Sequence, residues 1–348
     1  MSNNNREDQL AALKALSSRV GNDPLQVQAA GGNTSIKVDD TLWIKASGKW
    51  LAHALDSDLF VPVALSPLLQ ALAENDPRAE KSTDFILDAL NVSGLRPSIE
   101  TTVHAVLPQR VVVHVHCVDT IALAIRTDAI QQLTDRLADF NWLWVPYFRP
   151  GLPLSVYISE HLESGTDVIV LGNHGLVVAA DSVEQAASLL ESVRLAVRQP
   201  VAETPEKDTG ELQGLCSGTD YVPASCADTH VLACNEQALS VAAGGSLYPD
   251  HVIFLGNGTV VLNPEQEDPA SALQTHQRSE QPSATIAVTG QGVLMHSKSN
   301  ESQHAMARCL ADVCRRVPPG ASINYLGTND TYSLLNWEAE TYRQSIAD

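Results

Sequence analysis

Two histidines one residue apart, His114 and His116, end a run of valines in this chain. Side chains alternate between the two faces of a β-strand, so both imidazoles are expected on the same face. A third histidine, His174, follows the apolar run Val168 to Leu171 in a Gly-Asn-His-Gly turn. Three imidazoles around one open coordination position are typical of a catalytic zinc. The pattern therefore predicts a divalent metal site that supports metal-assisted chemistry.

A structural interpretation of the same residues remains open at this point. A buried histidine is most often held by a main-chain carbonyl, and three of the eleven histidines can coincide by chance. Glu100, in a Pro-Ser-Ile-Glu-Thr stretch, is a candidate catalytic acid or base. It could instead be a surface acid at a helix start, or pair with His104 one turn later. In the catalytic interpretation, burial raises the pKa of Glu100 toward the range useful for proton transfer.

Two turns rich in small residues precede the histidines, at Gly31-Gly32-Asn33-Thr34-Ser35 and at Ser47-Gly48. Such turns expose main-chain N–H groups and hydroxyls, and they can form concave sites for phosphate or carboxylate. Lys37, Lys45 and Lys49 add positive charge beside them. Two hairpin turns with solvated lysines would have the same sequence pattern, so both interpretations stay open.

Composition limits the classes of function. The 348 residues, 44% of them hydrophobic, suffice for one large or two ordinary domains. The formal net charge of −19 argues against nucleic acid and anionic membranes as partners. No apolar run approaches the roughly 20 residues of a membrane helix, and the polar start of the chain does not resemble a secretory signal. Six cysteines without a CxxC pair favour free thiols in a reducing compartment, so we expect a cytoplasmic protein.

Hydrophobic periodicity predicts an α/β protein with two regions. Residues 1–200 form the predicted metal-binding catalytic domain, 201–220 a linker, and 221–348 a C-terminal α/β region to which no chemistry can be attached. In the first region we expect these elements: helices over 6–20, 65–75, 82–91 and 183–198, a hairpin at Asp39-Asp40, and strands over 111–116 and 167–171. In the second we expect strands near 251–255, 284–288 and 292–296, and helices near 228–242, 302–316 and 329–345.

Five motifs together resemble one family, the class II aldolases of the fuculose, rhamnulose and ribulose phosphate type, over roughly residues 5 to 200. In chain order the motifs are Gly31-Gly32-Asn33-Thr34-Ser35, Ile44-Lys45-Ala46-Ser47-Gly48, Pro97-Ser98-Ile99-Glu100-Thr101, His114-Val115-His116 and Asn173-His174-Gly175. The sequence Pro-Ser-Ile-Glu-Thr and the C-terminal segment Leu334 to Glu340 look closest to those of the rhamnulose-1-phosphate aldolase-like branch.

The resemblance implies a three-layer α/β/α fold around a mixed, largely antiparallel sheet. It also implies zinc, or a similar divalent ion, on His114, His116 and His174, with Glu100 as the catalytic acid or base. Such an enzyme is an aldehyde-lyase that cleaves a ketose phosphate through a metal-stabilised enediolate. The same intermediate would serve a decarboxylase or an epimerase. A non-catalytic interaction protein, like the adducin relatives of this fold, is a third alternative.

The resemblance further assigns residues to a substrate phosphate, namely Asn33, Ser47, Gly48 and Ser98. Many members carry two serines before the glutamate, whereas this chain has Ile99 in the second position, so its substrate could be a sugar acid or another sugar without phosphate. The tyrosine that some members use as a second acid cannot be assigned, and Tyr147 is one candidate. We expect a homo-oligomer, for which a tetramer is one arrangement.

Overall fold

The computed structural model describes residues 3–203, 210–279 and 282–345. Within them, the strands of the N-terminal half form a single seven-stranded sheet. The strands are β1 (Asn33–Val38), β2 (Thr41–Lys45), β3 (Phe60–Ala64), β4 (Val111–Val115), β5 (Trp142–Val145), β6 (Val168–Leu171) and β7 (Gly175–Ala180). Their order across the sheet is β3-β2-β1-β4-β7-β6-β5, and all neighbours are antiparallel except β5 and β6. The predicted mixed, largely antiparallel sheet is confirmed.

Helices cover both faces of this sheet. They are α1 (Asn3–Gly21), α2 (Leu65–Ala73), α3 (Thr101–Val106), α4 (Val118–Ala124), α5 (Ala129–Arg136), α6 (Leu152–His161) and α7 (Val183–Ala196). Val113 of β4 packs in one core with Leu13 of α1 and Val193 of α7, whereas Val112 packs in another with Leu154 of α6. Alternate residues of a strand buried on both faces require a layer on each side. The result is the predicted three-layer α/β/α arrangement.

The C-terminal region adds a second sheet, ordered β8-β11-β10-β9. Its strands are β8 (Tyr221–Pro223), β9 (Val260–Leu262), β10 (Thr285–Val288) and β11 (Gly292–His296). Its helices are α8 (Gly210–Leu215), α9 (Val231–Cys234), α10 (Glu236–Ala243), α11 (Pro249–Leu255), α12 (Pro269–His276), α13 (Glu301–Cys314), α14 (Thr328–Leu335) and α15 (Glu338–Ser345). Val118 and Ile121 of α4 share one core with Leu310 and Val313 of α13, so the two regions are packed together.

Two sequence predictions are wrong. Residues 251–255 are part of α11, not a strand, because Pro249 starts a helix that is buried throughout and so shows no amphipathic period. Residues 82–91 contain only a 3₁₀ turn, Ser82–Phe85, after which Ile86 forms a bridge to Val63. In the stretch predicted as a linker, residues 210–215 form α8 and residues 204–209 lie outside the described part. The division into two domains stays a prediction.

The composition predicts free cysteines and no membrane-spanning helix. All six cysteines lie within them and are free thiols. Among the same residues, no helix combines the length and the apolar character needed to cross a bilayer.

A buried ion network links the two regions, and it carries a stability prediction. Arg316 Nε lies 3.1 Å from Asp119 Oδ1 of α4, and its Nη1 lies 3.3 Å from Asp312 Oδ1 of α13. Arg316→Ala removes the guanidinium from both buried carboxylates, but Asp312 keeps Arg315 at 2.6 Å and Asp119 keeps the Gln199 main-chain N–H at 2.9 Å. We therefore expect the free energy of unfolding to fall by about 3 kcal/mol, the lower end of the cost of breaking a buried pair. Denaturant titration measures this loss. Arg194→Ala is the control, because it breaks the exposed pair with Glu191 and should cost about 0–1 kcal/mol. Equal losses in the two variants would contradict the prediction.

Candidate metal centre

The three predicted histidines meet at the ends of neighbouring strands. His114 lies near the end of β4 and His116 just beyond it, while His174 lies in the turn between β6 and β7. Their ring centroids are 4.9 to 5.2 Å apart, and one ligand nitrogen of each lies within 4.8 Å of the other two. All three are buried. This group could hold a divalent metal ion.

The hydrogen bonds of the rings agree with such a role. His114 Nδ1 donates to the Leu176 carbonyl oxygen at 3.1 Å, which leaves Nε2 as the acceptor nitrogen. That Nε2 atom and Nδ1 of His174 are buried and have no hydrogen-bond partner among the described residues. A buried polar atom without a partner is costly, and a cation bound at His114 Nε2 would remove that cost for this atom. Burial lowers the pKa of His114, and that of His174 to about 3, so both rings are neutral, as metal ligands must be.

Glu100 faces the histidines from the start of α3. Its Oε2 lies 3.4 Å from His114 Nε2 and its Oε1 lies 3.7 Å from His174 Nε2. Burial raises the pKa of Glu100, whereas positive charge at His114 and His174 would lower it and the hydrogen bond from Asn33 also lowers it; the net direction is downward. The prediction that burial would bring this pKa up was therefore wrong in its net direction. Glu100 is an ionised carboxylate that can accept a proton.

A series of hydrogen bonds through Asn33, His104 and Ser35 holds the Glu100 carboxylate in place. Asn33 lies opposite His114 in the β1–β4 register, and its Nδ2 donates to Glu100 Oε2 at 2.8 Å. Its Oδ1 accepts from His104 Nε2, and His104 Nδ1 accepts from Ser35 Oγ at 2.7 Å. His104 thus contacts Asn33, while Asn33 contacts the carboxylate. Burial lowers the pKa of His104 to about 3, so the ring is neutral and fixes the orientation of the Asn33 amide.

A cavity beside the triad contains all four residues that the resemblance assigned to phosphate. Its lining includes Asn33, Ser47, Gly48, Ser98, Glu100, His116, His174, Pro249, Asp250 and Glu340. Among the described residues, Ser47 Oγ has no hydrogen-bond partner although it is buried. Ser98 Oγ accepts from the Glu100 main-chain N–H at 3.2 Å. Lys45 Nζ donates to the carbonyl oxygens of Ala30 and Gly32, at 2.7 and 3.0 Å. It thereby holds the turn at Gly31-Gly32, here called the glycine turn.

Tyr147, the candidate second acid, is not among the residues that line this cavity. Its hydroxyl is buried without a hydrogen-bond partner among the described residues, and burial raises the pKa of Tyr147 well above its usual value. Nothing in this placement supports the assignment.

Among the lining residues that sequence reasoning did not assign to the site, three come from the C-terminal region: Pro249, Asp250 and Glu340. Asp250 Oδ2 lies 3.0 Å from His116 Nδ1. Asn173, next to His174, donates to the carbonyl oxygens of Leu247 and Asn324 and so fastens this region to the site. The available signal was the Asp250-His251 pair of polar residues placed directly between Pro249 and the apolar run Val252 to Leu255.

Comparison with known proteins identifies the family. The profile of the Class II Aldolase and Adducin N-terminal domain matches residues 16–200, just over half of the chain. The protein therefore belongs to the class II aldolase and adducin family, as the motifs predicted.

Three individual proteins that resemble this chain have sequence identities below 30%. The uncharacterized oxidoreductase YuxG of Bacillus subtilis (strain 168) is 29% identical over 180 residues, which cover 48% of this chain but only 26% of YuxG. The N-terminal class II aldolase domain of a conserved Thermoplasma acidophilum protein shares 26% identity, covers 53% of this chain and 90% of its own, and has a TM-score of 0.47. The L-fuculose-1-phosphate aldolase of Thermus thermophilus shares 19%, covers 54% and 92%, and has a TM-score of 0.37.

Proposed function

We propose that this protein is a zinc-dependent aldehyde-lyase that cleaves a carbon–carbon bond of a ketose phosphate or a related sugar. The observation that carries the proposal is the Glu100 carboxylate beside three buried histidines, of which His114 turns toward it an Nε2 atom without a hydrogen-bond partner among the described residues. His114, His116 and His174 would hold the ion, and three neutral imidazoles with an open position suit zinc. We also propose that the protein is cytoplasmic and homo-oligomeric and belongs to the rhamnulose-1-phosphate aldolase-like branch.

The ion would supply Lewis-acid stabilisation of the negative charge that develops on the sugar oxygens during cleavage. Glu100 supplies the proton transfer, because its ionised carboxylate can take a proton at one stage of the reaction and return it to carbon at another. Asn33 keeps that carboxylate in one orientation through its 2.8 Å hydrogen bond. Because Glu100 is only 5% exposed, little bulk water competes for the transferred proton.

Assays on defined substrates test this function. The full chain, stripped of metal with a chelator and reloaded with zinc, is offered the 1-phosphates of rhamnulose and fuculose, ribulose 5-phosphate, the unphosphorylated ketoses and sugar acids. We expect metal-dependent release of an aldehyde from one of them. Release of carbon dioxide or inversion of a stereocentre would replace the lyase assignment by a decarboxylase or an epimerase. Failure of the full chain to bind any divalent ion would favour an adducin-like interaction protein.

The proposed phosphate site makes a separate prediction at Ser47. A carboxylate there repels a phosphate about 4 Å away by roughly 1 kcal/mol per charge pair at the dielectric constant of water, and by several at a value near 20. Ser47→Asp should therefore weaken binding of a phosphorylated substrate at least tenfold, without loss of zinc. Equilibrium binding and metal analysis measure the two quantities, and Ser159→Asp on the exposed surface of α6 is the control. Unchanged binding would instead support a substrate without phosphate, as the replacement of serine by Ile99 suggests.

A further inference from the structure

We propose that Asp250, from the C-terminal region, is a positioning residue of the metal centre that fixes the ring of His116. The inference rests on the metal site proposed above. In the proposed arrangement, the Asp250 carboxylate accepts a hydrogen bond from Nδ1–H of His116. The Nε2 atom of this ring then remains free to bind the ion. The C-terminal region then contributes directly to metal binding, although its sequence carries no metal-site motif.

The contact between the two side chains is close and sheltered from water. Asp250 Oδ2 lies 3.0 Å from His116 Nδ1, and the residues are 2% and 6% exposed. A neutral imidazole carries one N–H, and the acceptor of that N–H decides which nitrogen can bind a metal. His114 uses the Leu176 carbonyl oxygen for the same purpose. The two histidines of the His-x-His pair are therefore fixed by different acceptors, one within the central sheet and one in the C-terminal region.

Gly31 provides an independent observation. A Cβ atom at this position would lie 2.8 Å from His116 Nδ1 and 3.1 Å from Asp250 Oδ2, and 2.9 Å from the Gln28 carbonyl oxygen. The first glycine of the glycine turn thus leaves room for the Asp250–His116 pair. A side chain there would have to displace the pair or the main chain beneath it.

The position of Asp250 is well fixed by its surroundings. It is the second residue of α11, whose residues are all buried, and Pro249 starts that helix. The main chain just before the helix is held at the Leu247 carbonyl oxygen by Asn173 Nδ2, at 2.9 Å. The turn that carries His174 therefore holds the segment that carries Asp250.

Zinc affinity, measured by competition with a chromogenic chelator on the full chain, tests the proposal. We expect Asp250→Ala to weaken zinc binding about 100-fold and Asp250→Asn about tenfold, since asparagine can still accept the N–H but without a charge. Asp228→Asn, a partly exposed aspartate of the same region that pairs with Arg315, is the matched control and should bind zinc like the parent. Gly31→Ala should also weaken binding, because it crowds the pair without removing a charge.

A double-mutant cycle separates positioning from a general loss of structure. In a His116→Ala background the ring that Asp250 orients is gone, so adding Asp250→Asn should change the residual zinc affinity less than twofold. A further tenfold loss there, or parent-like affinity of both Asp250 variants, would overturn the inference. If Asp250→Ala fails to fold, parent-like zinc affinity of the nearly isosteric Asp250→Asn would by itself overturn the inference. Absence of zinc binding by the parent would overturn the proposed metal site itself, which is a distinguishable result.

Discussion

Replacing His114 with alanine is expected to empty the metal site and abolish turnover while the protein stays folded. The parent should bind about one divalent ion per chain, and His114→Ala close to none, because two imidazoles hold zinc far more weakly than three. The fold should survive because His114 pairs through its main chain with Val177 and Asn33, and these contacts do not depend on the side chain. Elemental analysis after dialysis gives the metal content, and circular dichroism with thermal unfolding checks the fold.

The control for this variant is His161→Ala. His161 is an exposed histidine at the end of α6, so its removal takes away a surface imidazole that could bind metal adventitiously. We expect its metal content and its turnover to match the parent. A His114→Ala protein that keeps one ion per chain would show that the ion lies elsewhere, and the proposed function would lose its basis.

The arrangement of the His-x-His pair could be predicted because it depends on local rules. Alternation along a strand brings His114 and His116 to one side, and an apolar run ending in a Gly-Asn-His-Gly turn places His174 at a strand end. That β7 pairs with β4, and so brings the turn between β6 and β7 to the end of β4, does not follow from alternation. That part of the prediction came from the ordered motifs. Asn33 illustrates the limit, because its place opposite His114 is known only once the β1–β4 register is known.

The contribution of the C-terminal region could not be predicted, and the reason is physical. Asp250 reaches His116 through tertiary packing between regions distant in sequence, and no periodicity reports such a contact. The sequence of residues 251–255 favours a strand although they are helical, because a short, fully buried apolar run has no period that distinguishes the two. The net pKa of Glu100 was also missed, since it depends on distances to His114 and His174 that only the folded chain defines.

The second large effect is expected for Glu100→Gln. Glutamine has nearly the same shape, and its carbonyl oxygen can still accept the hydrogen bond that Asn33 donates. An amide does not take up a proton at neutral pH, so the proton-transfer step loses its base. We expect kcat to fall by about 10²–10⁴-fold, the usual contribution of a general acid or base. Zinc content should stay at the level of the parent, because His114, His116 and His174 remain.

Two measurements make this prediction specific to proton transfer. In heavy water, the parent should exchange the hydrogen on the carbon next to the carbonyl of its ketone product, and Glu100→Gln should lose this exchange along with turnover. Glu160→Gln, at an exposed position of α6, is the matched control and should keep both. A Glu100→Gln enzyme that loses turnover but still exchanges this hydrogen would assign the proton transfer to another group. A Glu100→Gln enzyme with parent-like kcat would show that Glu100 has only a structural role, as a buried hydrogen-bond acceptor for Asn33.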